Sequence, residues 1–156
     1  MNTKIRMALA VMLISVFSVG TLSGAQTMKN EALKQTGSMK IRLKLNDKII
    51  TATMINSNTT RDFISLLPLS LTMNDLFRRE KYAHLTQALS TEGARAHAYE
   101  VGKIVYWSPG PDLAIYYRQD GERIPNPGII VIGKIDSGVE ALNGAGSVKV
   151  TIELIK

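Results

Sequence analysis

The 156 residues are enough for one domain with its own hydrophobic core. The chain has no cysteine, which excludes a disulfide scaffold and thiolate metal sites. The formal charge of +6 is scattered, without the basic, aromatic-studded face a nucleic-acid binder needs, so no nucleic-acid partner is expected.

The N-terminus reads as a targeting segment. Lys4 and Arg6 precede an uncharged run from Met7 to Leu22, and Ser23 and Ala25 follow with small-x-small spacing. That order predicts a signal peptide over residues 1–25, cleaved after Ala25, and export to the periplasm or the medium. The alternative is an uncleaved anchor, but the apolar run is shorter than the roughly 20 residues that span a bilayer. No later run is long enough to span, and no cysteine follows the signal to carry a lipid. Residues 26–38 are polar and aperiodic, so a flexible lead is expected there, with the domain over 39–156.

Met39, Ile41, Leu43 and Leu45 alternate with Lys40, Arg42 and Lys44, which predicts a strand with one buried face. Asn46-Asp47 suits a two-residue hairpin turn, and a second strand returns to Ile55. Asn58 to Asp62 reads as a helix start, with Thr59 as the cap and Asp62 three residues on. Phe63, Leu66 and Leu67 continue at helical spacing until Pro68, giving about two turns. Leu69, Leu71 and Met73 predict a third strand. Asn74 to Tyr99 is charged and poor in β-branched residues. It reads mostly as a long loop, ordered at most near Leu85 to Leu89, and a loop of that length is either functional or hides an element. The basic group Arg78, Arg79 and Lys81 is expected to be solvated there.

Strands follow at Lys103 to Trp107, Leu113 to Tyr117 and the fully apolar Ile129 to Ile132, with turns at Ser108 to Pro111, Gln119 to Gly121 and Pro125 to Gly128. Gly133 and Gly138 are expected to bracket another turn. Val148, Val150, Ile152 and Leu154 alternate in a last strand. Seven or eight short strands with one or two short helices predict an all-β closed barrel or sandwich.

Two segments resemble cyclophilin sequence and fall in cyclophilin order. Asn58-Thr59-Thr60-Arg61-Asp62-Phe63 is similar to the start of the first cyclophilin helix. Val131-Ile132-Gly133-Lys134-Ile135-Asp136-Ser137-Gly138-Val139-Glu140 is similar to the family's strand-turn segment near the C-terminus. Over the whole domain the chain resembles small bacterial cyclophilin-like domains more closely. In those, a Glu-Lys pair follows the third strand, as Glu80-Lys81 would here. A Gly-x-Ile-x-Tyr-Trp-x-Pro-Gly stretch comes next, here Gly102 to Gly110, and then an apolar-aromatic strand, here Leu113 to Tyr117. The resemblance implies a cyclophilin-like barrel of about eight strands. It does not imply the isomerase reaction. The Phe-His-Arg strand of the true cyclophilins is replaced by Leu69-Ser70-Leu71-Thr72-Met73, and their Gln-Gly-Gly-Asp stretch is missing.

Catalytic residues, metal and cofactor are therefore not expected. His84 and His97 have no ligand spacing, and none of Ser70, Ser90, Ser108 and Ser137 sits in a nucleophile elbow. The candidate ligand-binding residues are Glu80, Lys81, Tyr106, Trp107, Tyr116 and Tyr117. Glu80-Lys81 is either a surface ion pair or a pair that anchors the long loop over the barrel mouth. Adjacent strand residues face opposite ways, so one aromatic of each pair should enter the core and its neighbour face out, beside the rigid Pro109-Gly110-Pro111 turn. Those aromatics either bind a ligand or plug the barrel end. The expected function is an exported module that binds a peptide or small ligand. The alternatives are a prolyl isomerase with a relocated arginine, for which Arg78, Arg95 and Arg118 are candidates, and an enzyme of another class on the same scaffold.

Overall fold

A computed structural model describes residues 38–156. The expected signal peptide and all of the expected lead except Ser38 lie outside the described residues. Eight strands run β1 (Lys40–Leu45), β2 (Lys48–Met54), β3 (Leu69–Leu76), β4 (Glu80–His84), β5 (Lys103–Trp107), β6 (Asp112–Tyr116), β7 (Ile130–Ser137) and β8 (Val148–Leu154). One helix, α1 (Asn58–Ser65), follows β2, and a short 3-10 turn (Val139–Leu142) follows β7. The strands close into an antiparallel barrel in the order β1-β2-β7-β5-β6-β4-β3-β8, and β8 pairs back onto β1. Closure leaves no unpaired strand edge. Among the described residues, no helix is long and apolar enough to cross a membrane.

The period-two pattern fills the interior. Ile41, Leu43 and Leu45 of β1 face Val150 and Ile152 of β8 inside the barrel, with Phe63 of α1 covering one end. The helix is capped by Ser57, one residue before its first turn, through a 3.1 Å bond from the Thr60 amide. The expected cap, Thr59, instead donates to the Ser90 carbonyl at 2.8 Å, and Asp62 accepts the Ser90 amide at 2.7 Å. The pair thus ties α1 to the segment after β4. There Leu85 and Leu89 are buried in the barrel core.

Three further expectations are corrected. The segment from Asn74 is not a loop throughout: β3 runs on to Leu76 and β4 pairs with β6 over its whole length. Gly133 opens no turn, since it lies within β7 opposite Ile104 and Met54. An added Cβ there would sit 2.7 Å from Met54 Sδ and 3.1 Å from the Thr53 carbonyl. The lack of a side chain is what lets β2 pass so close. Register shifts at Thr51/Ala52 and Ile104/Val105 put β-bulges on both sides of β7 and bend it around the barrel. The basic group is not solvated either. Arg79 is 8% exposed and Lys81 2%, and only Arg78 stands in water.

A second apolar cluster lies outside the barrel wall. Val105, Ala114 and Tyr116 point away from the interior, and Tyr99, Ile124 and Ile129 cover them. The covering strands of chain are held by Ile124 N to the His97 carbonyl (2.9 Å) and by the Ala96–Ile129 bridge. So β5 and β6 are buried on both faces. Their sequence is accordingly a continuous apolar run rather than a clean alternation.

Candidate functional site

Beside this outer cluster the wall opens into a cleft of about 410 Å³. Its floor follows from strand parity. On β4, Glu80, Tyr82 and His84 face the cleft, and on β6, Tyr116, Ala114 and Asp112 lie opposite them. On β5, Val105 and Trp107 extend the same face. The small Ala114 at the centre gives the floor its depth. Ile124, Pro125 and Ile129 form one side, and Leu76 and Phe77 the other.

One end of the cleft carries an ion pair inside a stack of rings. Arg79 Nε donates to Glu80 at 3.2 Å and its Nη1 to Asp120 at 3.4 Å. Its guanidinium lies 5.0 Å from the Phe77 ring and 5.3 Å from the Tyr99 ring, and Tyr99 stacks on Tyr116 at 4.0 Å. The Tyr99 hydroxyl donates to Asp120, and the Tyr116 side chain lines the cleft with Glu80, its partner across the β4–β6 pairing. Burial pushes the Glu80 carboxyl above its ordinary range, against the pull of Arg79. Burial and the Glu80 charge push the Tyr116 phenol up, so it stays a neutral donor. A guanidinium has five N–H donors and only two are used here, so donors remain for a ligand.

The other end is built differently. His84 Nδ1 lies 2.6 Å from the Gly110 carbonyl and 2.5 Å from Asp112 Oδ1. Two acceptors at one nitrogen require that Nδ1 carry the proton, so in the neutral ring Nε2 keeps its lone pair. The geometry favours the carbonyl, and Asp112 Oδ1 is buried with no hydrogen bond of its own. Burial raises the Asp112 carboxyl, and His84 offsets this only in part. The Trp107 ring completes this end.

The structure divides the six candidates between two faces. Glu80, Trp107 and Tyr116 line the cleft. Lys81, Tyr106 and Tyr117 do not. Tyr106 fills the barrel, where its hydroxyl accepts the Leu89 amide at 3.1 Å. Glu80 and Lys81 are adjacent on a strand and therefore point apart, so they form no pair. Lys81 Nζ reaches Asp75 at 2.8 Å and the carbonyls of Gly144 and Gly146 at 2.5 and 2.8 Å. It anchors the loop after the 3-10 turn, not the segment after β4. Tyr117 donates to Asp75 at 2.6 Å, and burial together with Asp75 pushes its phenol up to about 12. The outward aromatics Trp107 and Tyr116 do not face open water either, because the covering segment shelters them.

Arg78, Arg95 and Arg118 do not line the cleft; Arg79 does. Phe77, Tyr82, His84 and Asp112 were also missed by sequence reasoning. A signal was there: Glu80, Tyr82 and His84 alternate with Lys81 and Ala83 at strand period, within the stretch read as loop. Among the described residues no group of three or more His, Cys, Asp or Glu could hold a metal ion.

Residues 43–153 match the sequence profile of the cyclophilin-like family. Among solved structures, the chain is similar to the solution structure of a hypothetical protein from Archaeoglobus fulgidus. Identity is 24%, the match covers 76% of this chain and 95% of that one, and the TM-score is 0.62. No curated protein matches the chain. The structural likeness concerns the fold, and the family assignment rests on the profile, which spans most of the barrel from β1 to β8. The chain belongs to the cyclophilin-like family.

Proposed function

We propose that this protein is an exported binding module that holds a peptide segment or a small ligand in the cleft on the outer face of β4, β6 and β5. The observation that carries this reading is the cleft itself: about 410 Å³, open, with a floor of Ala114, Val105 and Ile129 between two polar ends. Sites for small ligands are concave and mostly apolar, with a few placed polar groups. The barrel interior offers no competing site, because side chains fill it. Export is supported by the signal-like order of residues 1–25.

The test is a fragment screen followed by amide NMR on the full chain. Binding should perturb Tyr82, Trp107 and Ala114 together and leave the β1–β8 side silent. Shifts confined to another face, or none from a library that includes short apolar peptides, would reject the cleft as the site.

One observation favours a second reading, prolyl isomerisation: an arginine, Arg79, does line the cleft, with N–H groups to spare for a twisted amide. A coupled isomerisation assay with Arg79→Lys as control decides it. Catalysis above background that the variant loses supports isomerisation, and its absence from the folded wild-type chain removes it.

A further inference from the structure

We propose that the Trp107 end of the cleft recognises a primary ammonium group, carried by a ligand whose apolar body lies along the Ala114 floor. This names the ligand class for the binding reading above and rests on it.

The charges of the cleft are unevenly compensated. At one end Arg79 sits 3.2 Å from Glu80, so the two cancel. At the other end Asp112 has no lysine or arginine within ion-pair distance among the described residues. Its one basic neighbour is His84. A buried carboxylate oxygen without a hydrogen bond is uncommon and needs a reason. His84 does not supply it, because its single Nδ1 proton is shared with the Gly110 carbonyl.

What surrounds that oxygen is an acceptor set. Asp112 offers a carboxylate. His84 turns Nδ1 toward Asp112 and the Gly110 carbonyl, which leaves Nε2 as the ring's remaining nitrogen. Trp107 lines the same end, and an indole is the best of the aromatic cation partners. An ammonium carries three donors and one charge, and this end can answer both. A carboxylate ligand would meet only repulsion from Asp112. The Asp112 side chain is 14% exposed, so water screens it less than a carboxylate on an open surface, and a cation there gains more. The neighbouring Ala114 and Val105 take the body of the ligand.

Trp107 is the only tryptophan in the chain, so its emission reports this end directly. Three probes with the same phenyl body are titrated into the full-length protein at about pH 8, where an ordinary imidazole is neutral. They are phenethylamine, 2-phenylethanol and 3-phenylpropionate. The amine is expected to bind at least about tenfold tighter than the alcohol, and the acid more weakly than either. Asp112→Asn should bring amine and alcohol within about threefold of each other. A second measurement needs no variant. Raising salt from about 0.02 M to about 0.5 M should weaken the amine and spare the alcohol. Equal affinities for amine and alcohol, or a preference that survives both Asp112→Asn and high salt, would overturn the ammonium site and leave the apolar cleft standing. If no probe, the alcohol included, moves Trp107 emission or the cleft amides, the binding reading fails and the inference with it.

Discussion

Replacing Lys81 with methionine should separate what the β4 lysine does from what its neighbour Glu80 does. Lys81 is 2% exposed and holds Asp75 and two loop carbonyls through one ammonium. Lys81→Met keeps the apolar stem but strands the Asp75 carboxylate, leaving it only Tyr117 and the Arg78 amide. Breaking a buried pair costs about 3–5 kcal/mol. The Asp75 side chain keeps 12% exposure and its tyrosine donor, so the lower end, about 3 kcal/mol, is expected. Urea unfolding followed by Trp107 fluorescence reads this. The double variant Lys81→Met/Asp75→Asn should recover to within about 1 kcal/mol of wild type, because no charge is left unpaired. Burial pushes the Asp75 carboxyl up, but the bonds from Lys81 and Tyr117 outweigh it and hold the group below its ordinary range. A lowered folded pKa contributes stability that is present above the unfolded value of about 3.9 and lost as pH falls through the folded one. Wild type should therefore lose this contribution in strong acid, and Lys81→Met should lose less of it. A cost below about 1 kcal/mol for Lys81→Met, with unchanged amide exchange at Gly144 and Gly146, would refute the anchoring role.

Three further outcomes are expected. Asp112→Asn should stabilise the protein at about pH 8 and become neutral in acid. A carboxyl raised in the folded state disfavours folding above its folded pKa, and that penalty fades as pH falls through it; thermal melts across pH check this, and destabilisation at pH 8 would contradict it. Phe77 and Arg78 both have positive φ, 56° and 54°, in the β3–β4 hairpin, and the Phe77 ring is 71% exposed. Phe77→Val should cost about 1 kcal/mol more than Phe77→Asn, although both remove the ring, because a β-branched residue fits that backbone worst and asparagine tolerates it. Equal midpoints in urea would show that the turn relaxes. Gly133→Ala should cost about 2 kcal/mol or more, since the added Cβ meets the Thr53 backbone at 3.1 Å and not only the movable Met54 sulfur; a shift in the unfolding midpoint of less than half that would mean β2 moves aside.

The barrel was legible wherever a strand has one wet face. Met39 to Leu45 and Val148 to Leu154 announce themselves by alternation because Lys40, Arg42, Lys44, Lys149 and Glu153 lie on the outside. The rule failed where both faces are buried. In β4 the residues Glu80 and Lys81 are both polar and both buried, one in the cleft and one against the barrel end, so neither charge marks a solvent face. Read by polarity, such a strand looks like a loop. The helix cap slipped by two residues for a related reason. Ser57, Thr59 and Thr60 all have capping chemistry, and the choice among them was made by Ser90 and Ile132, far away in sequence, which claimed the two threonine hydroxyls.

The same cause hid the site. A cleft on the outer wall of a barrel needs outward residues of several strands to be sheltered, and sheltering erases the periodicity by which strands are read. Strand parity split each aromatic pair, one in and one out, but did not say which member faces out: Trp107 and Tyr116 line the cleft, and Tyr106 and Tyr117 join the barrel core. Parity becomes decisive once β4 is placed against β6. Glu80 opposite Tyr116, Tyr82 opposite Ala114 and His84 opposite Asp112 then form three rungs, polar, apolar and polar. The rungs are two residues apart along each strand, so the end rungs lie about 13 Å from each other. That spacing suits an extended ligand with an apolar middle. The end rungs differ in one respect. The Glu80 end holds its own arginine, and among the described residues the Asp112 end has no basic partner beyond His84, whose Nδ1 also faces the Gly110 carbonyl. A fold that only needed to close this wall could have placed an apolar residue at Asp112, as it did at Ala114 one rung away. Burial disfavours the charged form of the retained carboxylate, and His84 offsets this only in part, so a stability cost at neutral pH is the expected outcome that the Asp112→Asn melts check. On the ammonium-site proposal, a ligand cation would offset that cost, and Asp112→Asn is the variant that tests it.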